Sequence, residues 1–265
     1  MSAPPLAAEA AVVRLGGRTI LDGVSLAIRP GELLGIVGPN GSGKTTLVRA
    51  LAGLQPLAGG RVALDGTGVE RWQRHKLAAR LAYLPQGHRI EWPVTVRRVV
   101  ELGRIPHTRA WHRPTADDHR AVDTAIGRTG VAHLAGRSCT TLSGGEQARV
   151  MLARVLAVEA SIMLADEPVA ALDPRHQIAI MEILHRAAAA GDGVAVVMHD
   201  LALASRYCDR VVVLADGRIV ADGPPDVALT VDTVRDAYGV QALEFTHNGR
   251  RFVVPWAVDP GHPRE

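Results

Sequence analysis

The stretch Gly38-Pro39-Asn40-Gly41-Ser42-Gly43-Lys44-Thr45-Thr46 constrains this chain more than any other. It fits the pattern Gly, four residues, Gly-Lys-Ser/Thr, in which backbone N–H groups turn inward to cradle phosphate oxygens. Glycine permits that approach because no Cβ stands between backbone and anion. Lys44 supplies a point charge for the outer phosphates and Thr45 a hydroxyl able to ligate Mg²⁺. Leu33 to Val37 reads as a buried strand and Lys44 to Leu54 as a helix, so a helix N-terminus faces the anion. A Gly-rich turn by itself is usually only a surface turn. The complete pattern between strand and helix predicts nucleotide binding. Of the 30 Lys+Arg residues only Lys44 and Lys76 are lysines. A chain that uses Arg almost everywhere has Lys in the loop, where a compact charge on a thin stem fits and a planar fork does not.

With 265 residues the chain is long enough for one large domain or for a core with a subdomain. Hydrophobic residues make up 47% and aromatics only 3%, so the core must be built from Ala, Val, Leu and Ile. The charge of +3 and a pI of about 9.2 come without a Lys/Arg block, which argues against a nucleic-acid partner. Cys139 and Cys208 show neither a pairing framework nor metal spacing and read as reduced cytoplasmic thiols. The start lacks the basic flank of a signal peptide. No apolar run approaches the roughly 18 residues that span a bilayer, so the chain reads as soluble by itself yet able to sit against a membrane protein.

Residues 1 to 7 read as a loose start. Glu9 to Leu15 and Ile20 to Ile28 read as strands joined through Gly16-Gly17, and Arg61 to Leu64 as another after Gly59-Gly60. Trp72 to Leu81 reads as a helix and Leu81 to Leu84 as a strand. Thr95 to Gly103 and Ala116 to Gly130 read as helices, the second with Asp117 and Asp118 where they suit its dipole. A long helix runs from Leu142 to about Val158, then a strand from Ser161 to Ala165 and a helix from about Arg175 to Ala190. Val194 to Met198, Arg210 to Leu214 and Arg218 to Ala221 are further strands. Such alternation predicts an α/β fold with a largely parallel, doubly covered sheet. Leu243 to His247 and Arg250 to Val254 flank Asn248-Gly249, a strong hairpin signal. The expected organisation is a single domain, 1–265. A nucleotide-binding core with a β subdomain takes 1–90 and 150–240, a helical subdomain 91–149 and a C-terminal hairpin 241–265.

Asp166 and Glu167 follow the apolar run Ile162-Met163-Leu164-Ala165, at a strand end of the kind where open α/β sheets bind ligands. Adjacent residues point apart, so two roles are natural: Asp166 for the metal shell, Glu167 to polarise water. Ser143-Gly144-Gly145 at a helix start is a second anion-binding element. By itself it is an ordinary helix cap. Beside a phosphate loop it points to another ligand or to a partner molecule's nucleotide.

Together these residues resemble the ATP-binding subunits of ABC transporters. Leu142-Ser143-Gly144-Gly145-Glu146-Gln147 resembles the family signature, Asp166-Glu167-Pro168 its Walker B motif and Ala171-Leu172-Asp173 its D-loop. Gln86 resembles the Q-loop glutamine and His199 the switch histidine, and the match runs from about Glu9 to Gly239. The resemblance implies a P-loop NTPase with a RecA-like core, an N-terminal antiparallel β subdomain and an inserted helical subdomain, with ATP and Mg²⁺ as cofactors. It implies a head-to-tail dimer with two ATP sandwiched between the copies. Ser143 and Gly145 of one copy then grip the γ-phosphate held by Lys44 of the other. Glu167 is the implied general base, and His199 holds the γ-phosphate. Thr45, Gln86 and Asp166 serve the metal, and Gln86 also touches the nucleotide and reports to a membrane permease.

Leu102-Gly103-Arg104-Ile105-Pro106-His107, Leu172-Asp173-Pro174-Arg175-His176-Gln177 and His199-Asp200-Leu201-Ala202-Leu203-Ala204 resemble importers of the iron-siderophore, haem or cobalamin class. Those are fed by a periplasmic or surface binding protein, and the ATPase sits peripherally on the cytoplasmic face of the inner membrane. The alternative is a transporter for another substrate, including an exporter. The permease-facing surface is expected around Gln86 to Arg109. Three positions depart from the family. The aromatic that stacks on adenine falls near Leu15, yet no aromatic precedes Trp72. An Arg such as Arg14 or Arg18, or apolar contact, is expected to hold the base, with weak base selectivity. Val169 replaces the usual Thr or Ser, and Ala148 the usual Gln. No chemistry is expected of the C-terminal hairpin.

Overall fold

The computed structural model describes residues 5–87, 90–108 and 113–260. Leu6–Leu15 (β1) and Arg18–Ile28 (β2) pair antiparallel. They turn at Gly16 and Gly17, whose φ angles of 55° and 79° favour glycine. Gly59–Leu64 (β4) lies on the other side of β1, and Thr67–Gly68 (β5) completes a four-stranded sheet. The first strand starts at Leu6, within the stretch expected to be loose, because Leu6 to Ala8 find partners in both β2 and β4.

Leu33–Val37 (β3) runs through the middle of a second sheet, and all its residues are buried. In that sheet Leu81–Leu84 (β6), Ile162–Asp166 (β7), Gly193–Val197 (β8), β3 and Arg210–Ala215 (β9) are parallel neighbours. Arg218–Gly223 (β10) adds an antiparallel edge. The apolar runs reflect two covered faces. Leu33 and Val37 join one core while Leu34 and Ile36 join the other, as the two-residue period of a strand requires.

One core lies between this sheet and the antiparallel sheet, with Lys44–Leu51 (α1) between them. That helix stops three residues earlier than the sequence pattern predicts. Gly53 takes φ 67°, and Leu54 N–H closes on the Arg49 carbonyl at 2.8 Å, a Schellman stop. Arg74–Arg80 (α2) precedes β6 and starts two residues later than expected. The other core takes in Val96–Glu101 (α3), Ala116–Arg128 (α4), Gly144–Leu156 (α5), Pro174–Ala189 (α6) and Leu201–Tyr207 (α7). The helix α3 is capped by Thr95 and runs into a 3₁₀ turn, Leu102–His107, where Pro106 ends regular helix. Thr115 and Asp118 form a capping box on α4, as do Ser143 and Glu146 on α5. Pro225–Ala228 (α8) and Val231–Tyr238 (α9) lead to the hairpin of Val240–His247 (β11) and Arg250–Val258 (β12), which is longer than predicted. Among the described residues no helix is long and apolar enough to cross a membrane.

Candidate functional site

The loop after β3 is held open by backbone that only glycine tolerates. A Cβ on Gly38 would lie 2.0 Å from the Leu214 carbonyl oxygen of β9. Gly43 caps α1 at φ 101°, and a Cβ there would meet Leu21 Cδ2 at 2.9 Å and the Ile20 carbonyl at 3.0 Å. No side chain caps α1, so its first N–H groups stay available to an anion. Lys44 is buried and folds back along the loop, donating to the Gly38 and Pro39 carbonyls at 2.9 and 2.7 Å. Burial pulls its pKa down, and the Glu167 and Asp166 carboxylates oppose that pull. Among the described residues Ser42 Oγ is buried without a partner. Pro39, Asn40 and Gly41 form the open rim, and Thr46 faces partly outward.

The carboxyl ends of β6, β7 and β8 meet this loop. Asp166 is fully buried at the end of β7 and accepts from Thr45 Oγ1 at 3.1 Å and from Tyr83 Oη at 3.3 Å. Burial raises its pKa, the Thr45 and Tyr83 bonds lower it, and neighbouring Glu167 raises it again. Glu167 turns at φ 50° with its N–H on the Val197 carbonyl, which aims its side chain away from that of Asp166. Its Oε1 lies 2.7 Å from His199 Nε2 and its Oε2 accepts from Gln86 Nε2 at 2.7 Å. Gln86 and His199 therefore bracket one carboxylate. Thr45 and Asp166 offer hard oxygen donors side by side. With the partnerless Ser42 hydroxyl nearby in the loop, they fit a Mg²⁺ that keeps most of its waters. Tyr83 is not legible in the sequence as a site residue, because an aromatic in a short apolar strand reads as core.

The Leu142–Gln147 stretch divides. Leu142 is buried. Glu146 accepts from Ser143 N–H at 2.8 Å, while Gln147 donates to the Cys139 and Leu142 carbonyls and accepts from Ile90 N–H. Those side chains are committed within the chain, and Ser143 Oγ also accepts from Glu146 N–H at 3.3 Å, while Ser143 and Gly144 stay exposed at the start of α5. Among the described residues no hydrogen bond joins Ser143–Gln147 to Gly38–Thr46, Asp166 or Glu167. Asp173 caps α6, accepting from His176 N–H at 3.0 Å and lying 2.7 Å from His176 Nδ1. Its carboxylate is thereby occupied locally.

The sequence pattern of the ABC transporter family matches residues 21–170. The chain belongs to the ABC transporter family. This ABC protein is 47% identical over 245 residues to the hemin import ATP-binding protein HmuV of Streptomyces coelicolor, covering 92% of this chain and 87% of that one. It is also 47% identical over 227 residues to the cobalamin import ATP-binding protein BtuD of Halobacterium salinarum, covering 85% of this chain and 56% of the relative. Among solved structures it resembles the dimeric bacterial ABC transporter cassette MJ0796. The TM-score is 0.72 and the identity 27%, over 83% of this chain and 98% of that one. The P-loop NTPase fold is that of these cassettes.

The start of β2 passes over the start of α1 in this ABC protein, since Ile20 touches the position a Gly43 side chain would fill. Leu15 is 43% exposed and pairs with Arg18, and Arg14 pairs with Thr19. Among the described residues neither Arg14 nor Arg18 has a side-chain hydrogen-bond or ion-pair partner. Arg109 lies outside the described residues.

Proposed function

We propose that this ABC protein hydrolyses ATP to drive import of a metal chelate of the iron-siderophore, haem or cobalamin class. The observation that carries the chemistry is Glu167, poised at a strand end between Gln86 and His199. The likeness to hemin and cobalamin import subunits carries the substrate class.

The loop N–H groups and Lys44 bind the β- and γ-phosphates, and Lys44 exchanges its two carbonyl acceptors for phosphate oxygens. Thr45 and Asp166 would hold Mg²⁺, which would supply positive charge against the transferred phosphoryl group. Tyr83 fixes the Asp166 carboxylate. Glu167 orients the attacking water and takes its proton, and His199, 2.7 Å from the same carboxylate, holds the γ-phosphate. Ser143 and Gly145 complete the site of a second copy, setting a helix N-terminus on its γ-phosphate.

The permease, fed by a periplasmic or surface binding protein, docks into the apolar groove of about 480 Å³ beside β6. Leu54, Trp72, Leu77, Leu102 and Pro106 line it. Tyr83 also lines it and sits just ahead of Gln86 in the chain, which places the groove next to the bracket around Glu167. Arg154 lines the same groove. The protein then sits peripherally on the cytoplasmic face of the membrane.

Glu167→Gln tests the assignment. It keeps ATP binding, lowers turnover roughly 10²- to 10⁴-fold and traps an ATP-bound dimer seen by light scattering. Turnover at the normal rate refutes the role.

A further inference from the structure

His176 lies in the first turn of α6, outside the residues that meet the phosphate loop. Its imidazole packs on the backbone of Gly145 so closely that a Cβ there would stand 2.2 Å from Cδ2 and 2.6 Å from Nε2. Gly145 is buried, while Ser143 and Gly144 beside it are exposed. The ring's other side is pinned, with Nδ1 2.7 Å from Asp173 Oδ2. That bond is the largest reason the Asp173 carboxyl is held below its ordinary range.

Asp173 closes a tight turn that begins at Glu167. Glu167 and Ala171 both take left-handed backbone, at φ 50° and 57°. Ala170 N–H bonds to the Glu167 carbonyl at 3.2 Å, and Gln177 Nε2 reaches the Val169 carbonyl at 3.4 Å. A continuous run of bonds and contact thus leads from Glu167 through Asp173 and His176 to Gly145.

We propose that His176 is a positioning residue that sets the phosphate-facing end of α5 against the turn carrying Glu167. The inference rests on the reading that Ser143–Gly145 serves a nucleotide held by a second copy. Glu167 acts on the chain's own nucleotide and Gly145 on the partner's, so His176 ties the two sites of a dimer together. Glycine is required at 145 for two separate reasons, approach to a phosphate in front and room for the imidazole behind. A displacement of about 1 Å at such a contact is enough to cost roughly a hundredfold in rate.

His176→Ala removes the wedge and the Asp173 bond but leaves the backbone N–H that Asp173 caps, so α6 keeps its start. His176→Asn sets an amide N–H where Nδ1 stands and restores the bond to Asp173. Both are made in the Glu167→Gln background. Fluorescent ATP binding to the monomer and the ATP concentration for half-maximal dimerisation are measured, alongside kcat and KM in the parent. His176→Ala binds nucleotide as a monomer within about twofold of the parent. It needs roughly tenfold more ATP to dimerise, as loss of one polar contact with its packing predicts. His176→Asn recovers most of the shift. Dimerisation of His176→Ala at the parent's ATP concentration overturns the inference alone, as does an equal loss in monomer binding. Failure of the His176-intact Glu167→Gln protein to dimerise with ATP overturns the two-copy reading and the inference with it.

Discussion

Asp118→Asn removes one charge from a cluster that braces α5 from behind. Arg104 and Asp118 are 7% and 6% exposed, and Arg104 Nε donates to Asp118 Oδ1 at 2.9 Å. Arg104 Nη1 reaches the Ala157 carbonyl and Glu159 just past the end of α5, at 2.8 and 2.9 Å. The Thr115 backbone N–H, and after it Arg104, hold the Asp118 carboxyl at about 2 against an ordinary 3.8, outweighing burial. At about 1.4 kcal/mol per pH unit that gap stabilises the folded chain by about 2 kcal/mol at neutral pH. The unfolded chain takes up this proton below about pH 3.8 and the folded chain only near 2. The contribution is therefore full above about pH 5, about half gone at pH 3 and nearly absent below 2. The substituted amide keeps an acceptor for Thr115 N–H, and Glu159 still faces Arg104, so the loss stays below the roughly 3–5 kcal/mol typical of an orphaned buried charge. Guanidinium unfolding of wild type and Asp118→Asn at pH 7 and pH 3 measures it. The expected differences are about 2 and about 1 kcal/mol, with ATPase activity at 25 °C unchanged because the pair touches no site residue. A difference under about 0.5 kcal/mol at pH 7, or one equal at both pH values, refutes the reasoning.

Arg14 and Arg18, exposed and without a side-chain partner among the described residues, and half-exposed Leu15 predict that GTP competes with ATP to within about tenfold, because a guanidinium or aliphatic face stacks on either base. Competition assays check this, and a strong ATP preference rejects it. Gly38→Ala drives a methyl against the Leu214 carbonyl and is expected to cost about 3 kcal/mol by thermal unfolding and to abolish fluorescent ATP binding.

Wherever neighbours along the chain settle the conformation, the sequence is a reliable guide. Leu33–Val37 and Leu81–Leu84 fall where their apolar runs place them, and Ser143 caps the helix that its position announces. The apolar pattern carries a helix past Gly53, whose left-handed turn stops α1 early. Motif reading also assigns Glu146, Gln147 and Asp173 to the signature and the D-loop, while the structure spends their side chains on caps and loop carbonyls of their own chain.

By itself the sequence determined the phosphate loop, the acidic strand end and the parallel core, because spacing, glycine placement and apolar periodicity are properties of a few consecutive residues. Only the tertiary structure decided which side chains meet. Thr45 and Asp166 are 121 positions apart, and Gln86 reaches Glu167 across 81. Tyr83 on Asp166 and His176 behind Gly145 carry no signal in the chain, because such contacts arise from how strands and helices stack and not from any local preference.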